Sequence, residues 1–560
     1  MHKEKASGYI SQLQFNNEET IDISSNDIVV FVGPNNAGKS QSLKDIFTLS
    51  KSKLPTVVIS DITITKTEGS LVSILEEVSQ PIPKSNYTTY NYLGSNISIW
   101  GFSESQFPNE KYYGDYRELF VANLTTDARL NICKAPSSIQ RTSSKQHPIH
   151  YVAFESKYRK WISENFRKAF GTDLIPNTQF GATIPLCMGE SVKLTDDFDD
   201  EQLRQEAYAE ILENYKQVQN QGDGIKSFTG ILLYLMLDCY KTFLIDEPES
   251  FLHPPQAKIM GQIIGNTLSD NQQAFISTHS EEIIKGLLDI CPERVKIIRI
   301  TRNDDINTFS VLDNEKFNDV WSDPLLKYSN IMSSLFHKSV VLCESDADCK
   351  LYSIIENYLK QADGKYSETL FIHCGGKHRM SKIVTALRSL DINVKLITDI
   401  DVINDMVVFK GIVESFGLQW SSLQTHYNNI VGNLHSPKEK IKREEARTVI
   451  NSILDRSKSS DISNKDLAEI ETAIKPISKW TPIKKGGVSA LPAGDATTSF
   501  KHIDKILKDA GVHIVPVGEL EGFIKEVGGH GPEWVNTVLE RYPDLSDDVY
   551  NQIKDFISSI

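Results

Sequence analysis

The sequence predicts an α/β protein with two unlike domains, the second built on a parallel sheet, and three observations lead there. An apolar run, Ile28–Val32, breaks into a glycine-punctuated loop, Gly33-Pro34-Asn35-Asn36-Ala37-Gly38-Lys39-Ser40, followed by a helical pattern. A second set of apolar runs begins at Ser339, and its members end in polar or carboxylate tips. The chain has 560 residues, too many for one core, since single cores stop growing at about 250 to 300 residues.

Composition narrows the function class. With 40% hydrophobic and 24% charged residues the chain is an ordinary globular protein. A net charge of -14 excludes a global positive field, so any nucleic-acid contact must come from local basic patches. Seven cysteines, at 133, 187, 239, 291, 343, 349 and 374, form no C-x-x-C pair, which argues for reduced thiols and against a disulfide framework or zinc site. Met1-His2-Lys3-Glu4-Lys5 runs into polar sequence without a signal-peptide pattern. The longest apolar stretch, Gly230 to Leu237, is closed by Asp238 and Lys241. The expectation is a cytoplasmic protein with no membrane partner.

Residues 9 to 32 alternate as short strands do, and the loop after them fits G-x-x-x-x-G-K-[ST] at Gly33, Gly38, Lys39 and Ser40. Its glycines let backbone N–H groups curl around phosphate oxygens at the positive end of a helix, and Lys39 reaches the terminal phosphates. Ser40 offers a hydroxyl to Mg²⁺, while Asn35, Asn36, Ala37 and Gln41 complete the expected nucleotide contacts. The cofactors implied are ATP and Mg²⁺. The helix from Ser40 to about Leu49 leads to strands at 57–59 and 62–65. From there to about 150 the sequence is rich in Tyr, Asn and Ser, and the stretch of about 60–220 reads as an inserted irregular or helical lobe. Near its end, Leu203, Ala207, Ile211, Leu212, Tyr215 and Val218 recur at helical spacing, predicting an amphipathic helix over 200–220.

Thr242 to Glu249 is an apolar strand delivering Asp246 and Glu247. Asp246 suits a metal's water shell and Glu247 the orientation or deprotonation of attacking water. Ala274 to Ser280 is a third strand with a polar tip, where His279 stands in position to sense a terminal phosphate. These pieces, with Leu252-His253-Pro254, resemble the ABC-type ATPase head shared by SMC-like and OLD-family proteins. The resemblance implies that ATP is sandwiched in a head-to-head homodimer or higher homo-oligomer, closed by a signature motif from the partner copy. The best match is Gly222-Asp223-Gly224-Ile225-Lys226-Ser227-Phe228, with Gly224 and Ser227 as the contacts. It departs from Leu-Ser-Gly-Gly-Gln, and a plain glycine N-cap explains it equally well. Gln80 is the glutamine weighed for the family's metal-side position.

A polar stretch from Asn303 to Trp321 marks the boundary between domains at 1–325 and 337–560. Val340-Val341-Leu342-Cys343-Glu344 is a strand ending in a carboxylate, and Ser345-Asp346-Ala347-Asp348 opens a helix to about Leu359. Thr369 to Gly376 is a strand closed by a glycine pair. Val394 to Asp401 ends in Asp399 and Asp401, which strand alternation would point to one side. Glu344, Asp348, Asp399 and Asp401 then build an acidic crevice at the carboxyl ends of parallel strands. Oxygen-only ligands suit Mg²⁺ or Mn²⁺. The pattern resembles the Toprim domain, which implies metal held for phosphodiester chemistry, although Ser345 stands where that family usually has glycine.

Beyond Asp401 a helical insertion of about 403–505 carries Lys438, Lys440, Lys442, Arg443, Arg447, Lys479, Lys484 and Lys485, candidates for phosphate-backbone contacts. A last strand, 512–517, leads to Gly518-Glu519-Leu520-Glu521. OLD-family nucleases show a similar Gly-Glu-Leu-Glu, which implies that Glu521, or Glu519, completes a second metal position, with Lys525 or Lys485 as a nearby basic residue. The order of head then Toprim resembles the OLD-family ATP-dependent endonucleases, which include effectors of bacterial anti-phage systems. It implies a Mg²⁺-dependent DNA endonuclease controlled by ATP, with RNA as an alternative substrate and a defence-system protein or RNA as a further partner. The competing reading is an ATP-gated sensor or scaffold that binds nucleic acid or an effector without cutting.

Overall fold

The computed structural model describes residues 4–191, 201–303, 306–312, 331–432, 434, 442–456, 461–474 and 480–560. The chain divides into two compact units, Met1–Trp321 and Ser322–Ile560. The boundary expected after residue 325 falls partly outside the described residues. The α/β reading is correct for both units.

The first unit contains β1 (Ser7–Phe15), β2 (Thr20–Asp22), β3 (Ile28–Val32), β4 (Ile59–Thr67), β5 (Ile82–Pro83), β6 (Tyr87–Tyr92), β7 (Ser95–Trp100), β8 (Val121–Leu124), β9 (Asp173–Pro176), β10 (Leu186–Gly189), β11 (Lys216–Gln217), β12 (Thr242–Asp246), β13 (Gln273–Ser277), β14 (Val295–Asn303) and β15 (Ile306–Val311). Its main sheet has the order β15-β14-β3-β13-β12-β8, parallel throughout except for β15 at one edge. Every residue of β3 and β13 is buried, as continuous apolar strands covered on both faces should be. The antiparallel sheet β2-β1-β4 alternates instead, and turns Ile10, Leu13 and Phe15 into a core shared with Leu43 and Ile46 of the helix Lys39–Lys51.

Three expectations need correction. Residues 57–59 and 62–65 do not make two strands: β4 begins only at Ile59, because the buried Asp45 carboxylate accepts the N–H groups of Val57, Val58 and Ile59 at 3.2, 2.7 and 3.0 Å. The supposed lobe of 60–220 begins inside β4 and holds β8, an edge strand of the main sheet, as well as the small sheets β5-β6-β7 and β9-β10-β11. The helix expected over 200–220 stops at Glu213, and Asp200 lies outside the described residues. Leu203 of its apolar set is exposed, whereas Leu212 and Val218 are buried, Val218 from a 3-10 turn.

The second unit has one sheet of β16 (Ser339–Cys343), β17 (Thr369–His373), β18 (Val394–Thr398) and β19 (Val512–Ile514), ordered β17-β16-β18-β19 and wholly parallel. The helices Asp346–Ala362 and Met380–Ser389 make the first crossovers. Between β18 and β19 the chain runs through helices Met406–Ser415, Trp420–Gly432, Arg443–Leu454, Asn464–Ile474, Trp480–Gly486 and Asp495–Ala510. The last strand ends at Ile514, earlier than expected, since Pro516 has no N–H with which to extend the ladder. The C-terminal helices Gly531–Arg541 and Asn551–Ser558 pack Trp534, Val538 and Ile553 against Leu351, Tyr352 and Ile355. Among the described residues no helix is long and apolar enough to cross a membrane.

Candidate functional site

Because β3, β12 and β13 are parallel neighbours, the segments that leave them emerge at one edge of the sheet. Gly33 (φ +141°) and Gly38 (φ +103°) make the loop after β3 possible, and a Cβ on Gly33 would lie 2.1 Å from the Ile300 carbonyl oxygen. Lys39 is 4% exposed and its ammonium donates to the carbonyls of Gly33 and Pro34, both at 2.8 Å. Burial pulls Lys39 down to about 8 despite the opposing charges of Glu247 and Glu249. Asn35 and Asn36 are exposed at the loop tip, and Ser40 is half-buried at the helix start. The Ala37 carbonyl accepts from Asn307 Nδ2 at 2.7 Å, and Asn307 is itself held by Asn16. Gln41 donates to Asp45 at 2.8 Å, so its amide braces the start of β4.

Asp246 accepts a hydrogen bond from Ser277 Oγ at the end of β13. Glu247 has φ +47°, and its carboxylate lies 3.8 Å from His279 Nε2. Burial, then the charge of Lys39, lowers the His279 imidazole, against the pull of Glu247 and Asp246. The structure therefore brings Lys39, Asp246, Glu247 and His279 together. It adds two residues that sequence reasoning missed. Glu249 accepts the His279 N–H at 2.7 Å, and its Oε2 is buried without a hydrogen-bond partner among the described residues. Arg129, wholly buried, donates to the main-chain carbonyls of Asp246 and, at 3.2 Å, Glu247. Nothing in the local pattern around residue 129 announces this, since its role depends on where β8 docks.

The signature candidate behaves differently. The helix Asp223–Leu235 starts at the exposed N-cap Gly222, and a Cβ on Gly224 would lie 2.5 Å from the Phe251 carbonyl oxygen, so that glycine permits a close approach within the same chain. Ser227 has no exposure and its hydroxyl has no partner among the described residues, which corrects the expectation that it presents a hydroxyl outward. Gln80 is exposed between the helix Leu71–Glu76 and β5, its N–H donating to Ser144 Oγ at 3.3 Å, outside the main sheet.

In the second unit, carboxylate oxygens of Glu344, Asp399 and Asp401 lie within 4.8 Å of one another. Glu344 follows β16 and Asp399 follows β18, its parallel neighbour. The reason expected for the Asp399–Asp401 pairing was wrong: β18 ends at Thr398, Asp399 caps the 3-10 turn Ile400–Asn404, and Asp401 lies inside that turn. A tight turn brings the two acids together where alternation along a strand was invoked. Asp348 stands apart from this trio and closes a reciprocal cap, its carboxylate accepting the Ser345 N–H at 2.8 Å while Ser345 Oγ accepts the Asp348 N–H at 3.3 Å. All four acids line one cavity of about 630 Å³.

Burial, followed by the charges of Glu344, Asp348 and Asp401, holds Asp399 well above the usual carboxylate range, with Lys484 opposing. Burial also raises Glu344, with Asp401 adding and Lys377 opposing. Glu344 Oε2 is buried and has no hydrogen-bond partner among the described residues. An orphaned carboxylate oxygen inside an all-oxygen cluster fits a hard divalent cation. The cluster's basic neighbours are Lys377, 3.2 Å from Asp401, and Lys484, 3.6 Å from Asp401 and 3.5 Å from Glu519. Of the lysines expected there, Lys485 lines the cavity, while Lys525 is exposed and does not. Glu519, Glu521 and His530 form a second group with ligand atoms within 4.8 Å, and the Gly531 N–H donates to Glu521 at 2.8 Å. Lys438, Lys440 and Lys479 lie outside the described residues; Lys442, Arg443 and Arg447 are exposed at the start of the helix Arg443–Leu454.

Known proteins match at these same places. A family model described as "AAA domain, putative AbiEii toxin, Type IV TA system" matches residues 188–285, which hold β12, β13 and His279. A second, "Overcoming lysogenization defect protein-like, TOPRIM domain", matches residues 335–401, from β16 to Asp401. An ATP/GTP phosphatase of Helicobacter pylori is 35% identical over 77 residues, 13% of this chain and 21% of that protein. The Old nuclease of Escherichia phage P2 is 20% identical over 331 residues, 56% of this chain and 49% of that protein. The chain thus spans less than half the length of each of these curated relatives. Among solved structures, an Smc head domain bound to the C-winged helix domain of ScpA covers 56% of this chain and 100% of its own at 14% identity and a TM-score of 0.33. The SMC head domain of Thermotoga maritima covers the same shares at 13% identity and a TM-score of 0.28. An AAA-type ATPase domain model and an OLD-like Toprim domain model thus match this chain in that order, and the Old nuclease is similar to it at a distance.

Proposed function

We propose that this chain binds and hydrolyses ATP and is a Mg²⁺- or Mn²⁺-dependent DNA endonuclease, acting as a homodimer or larger homo-oligomer in anti-phage defence, with cleavage controlled by nucleotide. The observation that carries the reading is the trio Glu344, Asp399 and Asp401 with an orphaned, buried Glu344 oxygen. These three would hold a divalent cation, with Asp348 lining the same cavity apart from them, and Glu519, Glu521 and His530 offer a second position. Such cations supply Lewis-acid stabilisation of the attacking and leaving oxygens of a phosphodiester. Lys377 and Lys484 orient Asp401, and Lys484 sets a positive charge at the rim where a phosphate would approach. In the first unit Lys39 and the loop N–H groups would bind the β- and γ-phosphates. Ser40 and Asp246 would stand to the metal side, Glu247 would orient the attacking water or accept its proton, and His279 would sense the terminal phosphate.

A second reading, an ATP-gated sensor or scaffold without cleavage, draws support from Asp348, whose carboxylate already serves a helix cap. RNA remains the alternative nucleic acid under either reading. Nicking of supercoiled plasmid, and cutting of linear and single-stranded DNA and RNA, measured with and without ATP across Mg²⁺ and Mn²⁺, separates the two. Cleavage that disappears in the Asp399→Ala/Asp401→Ala variant supports a nuclease. Cleavage that survives it sinks the site assignment, and ATP hydrolysis with nucleic-acid binding but no cutting under any metal favours the scaffold.

A further inference from the structure

Glu247 is the proposed proton acceptor of ATP hydrolysis, and the role assigned to Arg129 rests on that reading. The Glu247 backbone lies at φ +47°, a region few non-glycine residues occupy, so something must hold the turn after β12 in place. Arg129 does so. It lies in the helix Thr126–Asn131 that comes after β8, with no exposure. Its Nη1 donates to the Asp246 carbonyl and, at 3.4 Å, to the Leu124 carbonyl. Its Nη2 donates to the Glu247 carbonyl at 3.2 Å and to Thr126 Oγ1 at 3.3 Å. One rigid planar group thus fixes the main chain of both acids, which a flexible ammonium would not do.

The short helix that carries Arg129 is itself wedged. A Cβ on Gly230 would lie 2.2 Å from the Arg129 carbonyl oxygen, so the helix Asp223–Leu235 meets it backbone to backbone. Cys133 Sγ donates across the same seam to the Lys226 carbonyl at 3.2 Å. The charged groups around the guanidinium are Asp246, Glu249 and Glu247, the carboxylates of the nucleotide site. A buried cation is weak evidence for stability, since apolar packing often stabilises an interior position as well, so the four hydrogen bonds of Arg129 are the feature that a role must explain.

We propose that Arg129 is a positioning residue of the nucleotide site, fixing the Asp246–Glu247 turn so that the Glu247 carboxylate is aimed at the attacking water. Its hydrogen bonds go to main-chain carbonyls and Thr126 Oγ1, not to the carboxylates of Asp246 or Glu247. The test uses the full chain, with steady-state ATP hydrolysis, direct nucleotide binding and thermal unfolding measured on Arg129→Lys, Arg129→Met, Thr126→Val and Glu247→Gln. Arg129→Met is expected to lower kcat about tenfold to a hundredfold while changing nucleotide Kd by less than about threefold, as loss of orientation does. Arg129→Lys recovers part of kcat, since one ammonium reaches one of the two carbonyls. Thr126→Val, which leaves Nη2 on Glu247, stays within about threefold of the parent. Should Arg129→Met fail to fold, a lowered kcat in Arg129→Lys at an unchanged unfolding temperature carries the same conclusion. Folded Arg129 variants that keep the parent kcat, or whose Kd rises in step with the loss of kcat, overturn it. Loss of hydrolysis in Glu247→Gln with no change at Arg129 overturns this assignment alone, whereas absence of hydrolysis in the parent removes the underlying reading as well.

Discussion

At the scale of single residues, both sites are defined by ionisable groups that burial has moved away from their ordinary behaviour. Lys39 titrates near 8, so without a bound anion it loses its charge as pH rises past that value. Nucleotide affinity should therefore fall above pH 8, by at most about tenfold per pH unit, because binding must then recruit a proton. Fold stability carries the opposite sign, since a lysine lowered by burial costs stability while charged and that cost fades as pH rises through about 8. Titration calorimetry between pH 7 and 10 in buffers of different ionisation heat checks the uptake, and Lys39→Met should abolish binding at every pH. Asp399 is displaced the other way, and its charge works against folding above its raised pKa. Asp399→Asn should raise the unfolding temperature in EDTA and remove the increase that added Mn²⁺ gives the parent; differential scanning fluorimetry reads both. A Mn²⁺-dependent increase that persists in Asp399→Asn would place the cation elsewhere.

At the scale of elements, side chains that finish helices and strands set the positions of the sites. The Ser345–Asp348 box anchors the helix Asp346–Ala362 directly behind Glu344, and Ser345→Ala should lower stability by about 1 kcal/mol, measured by urea unfolding. Asp45 matters more, because its carboxylate accepts three consecutive N–H groups ahead of β4 while also receiving Gln41 from the phosphate-loop helix. Asp45→Ala leaves those buried donors unpaired and should cost about 2–3 kcal/mol, with a lowered nucleotide affinity as β4 loosens from the loop. Strand ends were also where sequence reading failed. Alternation was a sound rule for β1 and β4, but β18 stopped one residue before Asp399, and only the 3-10 turn explains why Asp399 and Asp401 converge. β8 was missed because four residues inside a Tyr- and Asn-rich stretch carry too little periodicity to announce a strand.

At the scale of the whole molecule, a chain of net charge -14 must bring any nucleic acid to local positive charge. Binding should weaken steeply with salt while ATP affinity changes little, and fluorescence anisotropy across 50 to 300 mM salt, roughly the range over which phosphate contacts are screened, checks this. The pair of α/β domains, the phosphate loop, the strands that deliver Asp246, Glu247 and His279, and the acids Glu344, Asp399 and Asp401 were all legible in the order of residues. These are short-range properties: apolar runs closed by glycine or carboxylate, readable because a buried strand and a phosphate-binding turn each demand particular neighbours. Folding in three dimensions was needed to set Lys377 and Lys484 beside the acids, to brace the nucleotide loop and its acidic turn with Asn307 and Arg129, and to turn Ser227 inward. Each of those outcomes depends on contacts between residues far apart in the chain, set by strand order and helix packing, and no local pattern of residues encodes them.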